Sequence, residues 1–124
     1  MPQRSSPSVK VTYFNSDRVW RALRRFVAAL VRQRPEIRRV VLFGSLARGD
    51  AVPGSDVDLM LVLSTADRRF LDRIPLYTPD RFPVGIEVFP YTGDEIEAML
   101  RDGNPFIRRA LEEGITLFDS EKAA

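Results

Sequence analysis

Asp56 and Asp58 stand one residue apart at the entrance to the apolar run 57-VDLMLVL-63. Side chains alternate across a strand, so the two carboxylates point the same way, with Val57 and Leu59 opposite. Like charges side by side repel, and holding them near a core is costly. A positive partner makes the arrangement favourable, yet no lysine or histidine lies nearby in sequence. A divalent cation is the economical answer. Magnesium takes one or two carboxylates together with water and phosphate oxygens.

Twelve residues before Asp56 stands Gly44, followed by Ser45. Glycine permits close approach of backbone to an anion. The N–H groups of a helix start, with the Ser45 hydroxyl, suit phosphate. One loop can thus hold phosphate while the next strand holds the neutralising metal, which describes phosphoryl or nucleotidyl transfer. The chain has neither a GxxxxGK[ST] loop nor an Asp-Phe-Gly element. Each part has a blander reading. Gly44 could simply end a strand, and Asp56 could make an Asx turn after Gly54. Asp58, inside the strand, is harder to explain that way.

The rest of the composition narrows the chemistry. The 124 residues include no cysteine and no histidine. That excludes disulfides, thiol nucleophiles, Ser-His dyads and nearly every zinc site. Any metal must be held by oxygen. The length argues for one domain spanning 1–124, with the polar first ten residues expected to be mobile. There is no apolar run of about 18 residues, hence no membrane span, and no signal peptide; a cytoplasmic protein is the default. The net charge of +2 argues against direct nucleic-acid binding.

The elements that must position these residues follow from periodicity. A helix is expected over Asp17–Arg34, capped by Asn15 or Ser16 and ended by Pro35. Its apolar face carries Val19, Trp20, Leu23, Phe26, Val27, Leu30 and Val31. Its other face carries Arg18, Arg21, Arg24, Arg25 and Arg32, either a solvated face or a surface for an acidic partner. Strands are expected at 38–43, 56–63 and 84–92, with a short final one at 115–119. Residues 45–48 can form a helical turn, and 50–55 reads as loop. A short helix is expected at 66–75, followed by a loop over 76–82. Thr92 or Asp94 caps a helix reaching Arg101, which Gly103 stops. Asn104-Pro105 starts another, with Phe106, Ile107, Ala110 and Leu111 as its apolar side, ending at Gly114. Helices and strands mix without strict alternation, so the class is α/β or α+β with a mixed β-sheet flanked by helices.

Gly44-Ser45, ten intervening residues and then Asp56-Val57-Asp58 resemble the signature of the minimal nucleotidyltransferases, within the polymerase-beta-like nucleotidyltransferase superfamily. The runs 44-GSLARG-49 and 104-NPFIRRALEEGITLF-118 are similar to that family as well. The resemblance covers roughly Val40 to Phe118. It implies the nucleotidyltransferase fold and two magnesium ions on three carboxylates: Asp56, Asp58 and, on a neighbouring strand, Glu87. Glu87 is the only acidic residue of 84-VGIEVFPY-91. It departs from the aspartate more common in small members, and an ion pair with Arg81 is its alternative reading.

The implied reaction is attack of an acceptor hydroxyl on the α-phosphate of a nucleoside triphosphate, ATP by family habit. Gly44, Ser45 and Arg48 would bind the triphosphate, with Arg48 equally readable as a surface ion pair. Small members of the family often pair with a helical HEPN-type protein, commonly a toxin, and act as its antitoxin. Three functions follow: an enzyme adenylylating its partner, a module that neutralises its partner by contact, or a nucleotide-binding regulator. A homo-oligomer is compatible with all three.

Overall fold

The computed structural model describes residues 14–122. The expectation for the first ten residues therefore lies outside the described ones. Helix α1 (Ser16–Gln33) begins at Asn15, whose side chain accepts a hydrogen bond from the Arg18 N–H at 3.1 Å. Val19, Leu23, Val27 and Leu30 recur every three or four positions and are buried. The helix ends at Gln33, two residues before Pro35, and the Arg34 N–H donates to the Leu30 carbonyl at 2.9 Å.

Among the described residues, four strands form one sheet in the order β3-β2-β1-β4. They are β1 (Ile37–Phe43), β2 (Val57–Leu63), β3 (Ile86–Thr92) and β4 (Ile115–Asp119). β1 pairs antiparallel with both β2 and β4, whereas β2 pairs parallel with β3. The sheet is therefore mixed, as its non-alternating element order requires. A parallel pair needs a crossover, and α3 (Phe70–Tyr77) supplies it. Between β1 and β2 lies the single turn α2 (Ser45–Arg48). Helices α4 (Gly93–Arg101) and α5 (Pro105–Glu113) connect β3 to β4.

Both sheet faces are covered, which explains why β2 is apolar on both sides. Val40, Leu42, Leu59, Leu61 and Leu63 pack on α1 through Leu23, Val27 and Leu30. Val41, Phe43 and Met60 meet Ile96 of α4 and Ile107 and Ala110 of α5 on the other face. Thr92 caps α4 in a reciprocal capping box with Glu95. Asn104 caps α5, with Pro105 in its first turn. Pro90 is accommodated because β3 is an edge strand.

The crossover helix differs from expectation. It runs from Phe70 to Tyr77 and contains Pro75, where a helix ending at Pro75 and a loop over 76–82 were expected. Proline removes one N–H, and the carbonyl it would have served belongs to Leu71, which is 73% exposed and open to water. Tertiary packing overrides the break, because Tyr77 is buried in the core. The Thr78 hydroxyl also donates to the Ile74 carbonyl at 2.7 Å and closes the final turn. The buried Arg73 locks the helix to β3 and α4. It donates to the Pro90 carbonyl at 3.0 Å and to both Glu95 oxygens at 2.7 and 3.1 Å.

Candidate active site

Strand register assembles the carboxylates. Asp58 lies opposite Glu87 in the parallel β2–β3 pair and opposite Phe43 in the antiparallel β1–β2 pair. Residues in register across a sheet share a face, so Asp58 and Glu87 stand together. Asp56 precedes β2, at the level of Gly85, and the Val57 N–H donates to the Gly85 carbonyl at 2.8 Å. Asp56 and Asp58 have the same strand parity, so all three acids gather at the leading ends of β2 and β3. They occupy the α4–α5 face of the sheet, beyond the edge of those helices' cover.

Two glycines make room for them. Gly44 has φ +81°, in the left-handed region, and any Cβ there would collide with the Asp58 carboxylate. A Cβ on Gly85 would strike the Asp56 carboxylate. Sequence reasoning assigned Gly44 to phosphate approach and missed this second duty. It missed Gly85 altogether, although a glycine two residues before the acid of an apolar strand was a signal.

Electrostatics mark the cluster. Burial pushes the Asp58 carboxyl up to about 6, and the negative charges of Glu87 and Asp56 push the same way; Arg48 opposes them. Among the described residues, none of the three acids forms an ion pair; Arg81 does not reach Glu87. Nor, among those residues, are any three acidic side chains gathered closely enough to chelate an ion. Three oxygen donors with surplus negative charge nevertheless fit a hard divalent cation, and nothing softer.

The turn beside the acids begins at Gly44. Helix α2 has no side-chain cap, and its first intrahelical bond is Arg48 N–H to the Gly44 carbonyl at 3.0 Å. The amides of Ser45, Leu46 and Ala47 consequently have no partner within the helix. Arg48 bridges Asp50 at 3.3 Å and Glu113 of α5 at 3.2 Å. The surface ion pair weighed for Arg48 is thus present, at the rim of the site.

Next to Gly44 opens a cleft of about 400 Å³, walled by Phe43, Phe106, Arg109 and Glu113. Phe106 was expected on the buried side of its helix. It is 41% exposed, its ring edge-on to Phe43 at 5.6 Å. Ile107 and Ala110 carry the burial instead. The site therefore combines a carboxylate cluster, an uncapped turn and an aromatic cleft side by side.

Comparison with known proteins places the chain in a family. The model of the nucleotidyltransferase domain matches residues 23–115, which include every candidate site residue. The chain is 33% identical over 99 residues to "Putative protein adenylyltransferase MJ0604" of Methanocaldococcus jannaschii, covering 79% of this chain and 96% of that one. Among solved structures, "a putative nucleotidyltransferase from Sulfolobus solfataricus" superimposes with a TM-score of 0.60 at 18% identity, covering 96% of this chain and 93% of that chain. A structure of a toxin-antitoxin with AMP-PNP gives a TM-score of 0.54 at 14% identity, over 80% of this chain and 75% of that chain. These two share the fold. With three quarters of its length matched by the domain model, the chain belongs to the nucleotidyltransferase domain family and is an enzyme of that class.

Proposed function

We propose that this protein transfers AMP from ATP onto a hydroxyl of a partner protein, with magnesium as cofactor. The observation that carries the reading is the in-register pairing of Asp58 with Glu87, with Asp56 at the same end of the sheet. The name of the archaeal relative supports a protein acceptor. The toxin-antitoxin structure with AMP-PNP supports a toxin partner, of HEPN type by the sequence resemblance, with this chain as its antitoxin.

Asp56, Asp58 and Glu87 would hold the magnesium, two ions by the sequence resemblance. Bound there, the metal supplies neutralisation of the triphosphate and of the attacking oxygen. The amides after Gly44 and the Ser45 hydroxyl bind phosphate oxygens and fix the donor's orientation. Phe43 and Phe106 offer the base an apolar wall. Arg48, tied to Asp50 and Glu113, lends positive charge from the rim. Glu87, exposed at the edge strand, takes the proton of the acceptor hydroxyl. The acceptor oxygen forms a bond to the α-phosphorus as the bond to pyrophosphate breaks.

The test is to co-purify the protein with the product of its neighbouring gene, add magnesium and ATP, and weigh that product by intact mass spectrometry. The expected result is a gain of one or more AMP units, abolished by Asp56→Asn. An unchanged mass in a tight complex would instead mean neutralisation by contact alone.

A further inference from the structure

The positive charge of this chain is concentrated. α1 carries Arg18, Arg21, Arg24, Arg25 and Arg32 against one acid, Asp17, in a protein whose net charge is only +2. Arg24 lies over the Trp20 ring, 5.3 Å from its centroid. Arg18, Arg21 and Arg25 turn to the other flank of the helix. There they line, with Arg81 and Phe82, a cleft of about 580 Å³ between α1 and the loop leading into β3. No acidic side chain lines it. All 17 acidic residues of the chain lie among the described ones, and none pairs with these four arginines; the ion pairs there belong to Arg48, Arg69 and Arg73.

Four like charges around one concavity repel each other, and no ion pair among the described residues neutralises them. Guanidinium groups present planar forks matched to carboxylates and phosphates. The cleft is also close along the chain to the carboxylates. Residues 81–83 run directly into Gly85, against which Asp56 packs, and then Glu87. Cleft and carboxylates share the leading end of β3, on opposite sides of the sheet.

We propose that this arginine cleft docks an acidic segment of the protein acceptor and delivers the neighbouring hydroxyl to the carboxylate site. The inference rests on the protein-acceptor reading above. The features here favour protein over nucleic acid. Phe82 is half-buried and engaged edge-on with Phe26 at 6.3 Å, so it offers no free stacking platform. A longer polyanion would also run from the cleft into Asp56, Asp58 and Glu87. An acidic segment of a few residues satisfies the arginines and stops short of them.

The experiment uses a fluorescent random copolymer of glutamate and tyrosine, which carries both the charge and acceptor hydroxyls. Binding is followed by anisotropy and transfer by labelled ATP. The expected result is binding that persists in Asp56→Asn and weakens about tenfold or more in the double variant Arg21→Glu/Arg25→Glu. It should also weaken steeply by about 0.5 M salt, and survive Arg101→Glu/Arg108→Glu, which reverses two arginines on α4 and α5. If the copolymer is modified, the Arg21/Arg25 variant raises its KM and leaves kcat and the KM for ATP unchanged. Binding with this pattern but no transfer leaves the docking inference standing and counts against the protein-acceptor reading. The inference is overturned by no binding, by equal loss in the α4/α5 variant, or by tighter binding of a single-stranded oligonucleotide of matched charge.

Discussion

Asp58 is where chemistry and stability oppose each other. Its carboxyl titrates near 6 in the folded protein against 3.8 as the ordinary value, so the folded state holds that proton more tightly than the unfolded chain. The linkage sign follows: its contribution to stability is fully present below about pH 4 and is lost as pH rises through about 6. Asp58→Asn should therefore stabilise the metal-free protein by about 1 kcal/mol at pH 8, after allowance for solvent screening, and give no gain at pH 4. Urea unfolding in EDTA at the two pH values measures this, and equal effects at both would remove Asp58 as a strained group. Gly85 tests position rather than charge. Because the nearest atoms its Cβ would meet are the carboxylate end of the Asp56 side chain, which can rotate away, Gly85→Ala should fold within about 1 kcal/mol of wild type. Displacing Asp56 should nonetheless cut transfer about 10²-fold. A fully active Gly85→Ala protein would show that Asp56 need not rest on Gly85.

Among the elements, the crossover α3 carries the least expected feature. Its Arg73 is 6% exposed and joins α3 to β3 and α4 through Pro90 and Glu95. Glu95 serves twice, since it also accepts from the Thr92 N–H at 2.8 Å in the α4 capping box. The Arg73 guanidinium holds the Glu95 carboxyl below its usual range. The stability from this pair is thus present above the ordinary carboxylate pKa and is lost as pH falls through the depressed one. Arg73→Ala should cost about 2 kcal/mol, because it leaves the Pro90 carbonyl without its donor and removes a buried side chain, while Glu95 keeps water and the Thr92 N–H. Arg73→Lys should recover only part of that, since one ammonium cannot span both Glu95 oxygens. Thermal unfolding of the two variants measures the difference. A loss below about 1 kcal/mol for Arg73→Ala would place the pair among ordinary surface ion pairs.

At the scale of the whole molecule, charge is sorted. Acids cluster on one face at the leading ends of β2 and β3, and unpaired arginines gather on the other side of the same end. A cation that binds only the folded cluster stabilises the protein by mass action, by about 2.7 kcal/mol at a hundred times its Kd. Magnesium should accordingly raise the Tm by several degrees at pH 8. The rise should shrink at pH 5, where Asp58 is largely protonated, and disappear in Asp56→Asn. A magnesium effect that is equal at both pH values would locate the ion elsewhere.

Much of this was legible from residue types alone. Asn15, Thr92, Asn104-Pro105 and Gly114 delimit helices through local hydrogen bonds and backbone preferences, which neighbours in sequence determine. The spacing of Gly44-Ser45 and Asp56-Val57-Asp58 places acids and turn on consecutive elements, so their pairing was readable too. What only the tertiary structure decided is everything that depends on partners far apart in the chain. The parallel register of β2 with β3 brings Glu87 level with Asp58. Gly44 and Gly85 are needed because carboxylates 14 and 29 positions away occupy the space of their missing side chains. Burial of Tyr77 and Arg73 carries α3 through a proline that local preference would have made its end. Phe106 keeps its face to a cleft although helical periodicity puts it beside the core. Local preferences act within a turn or two of chain, whereas register, close approach and burial are set by contacts that exist only once the sheet has formed.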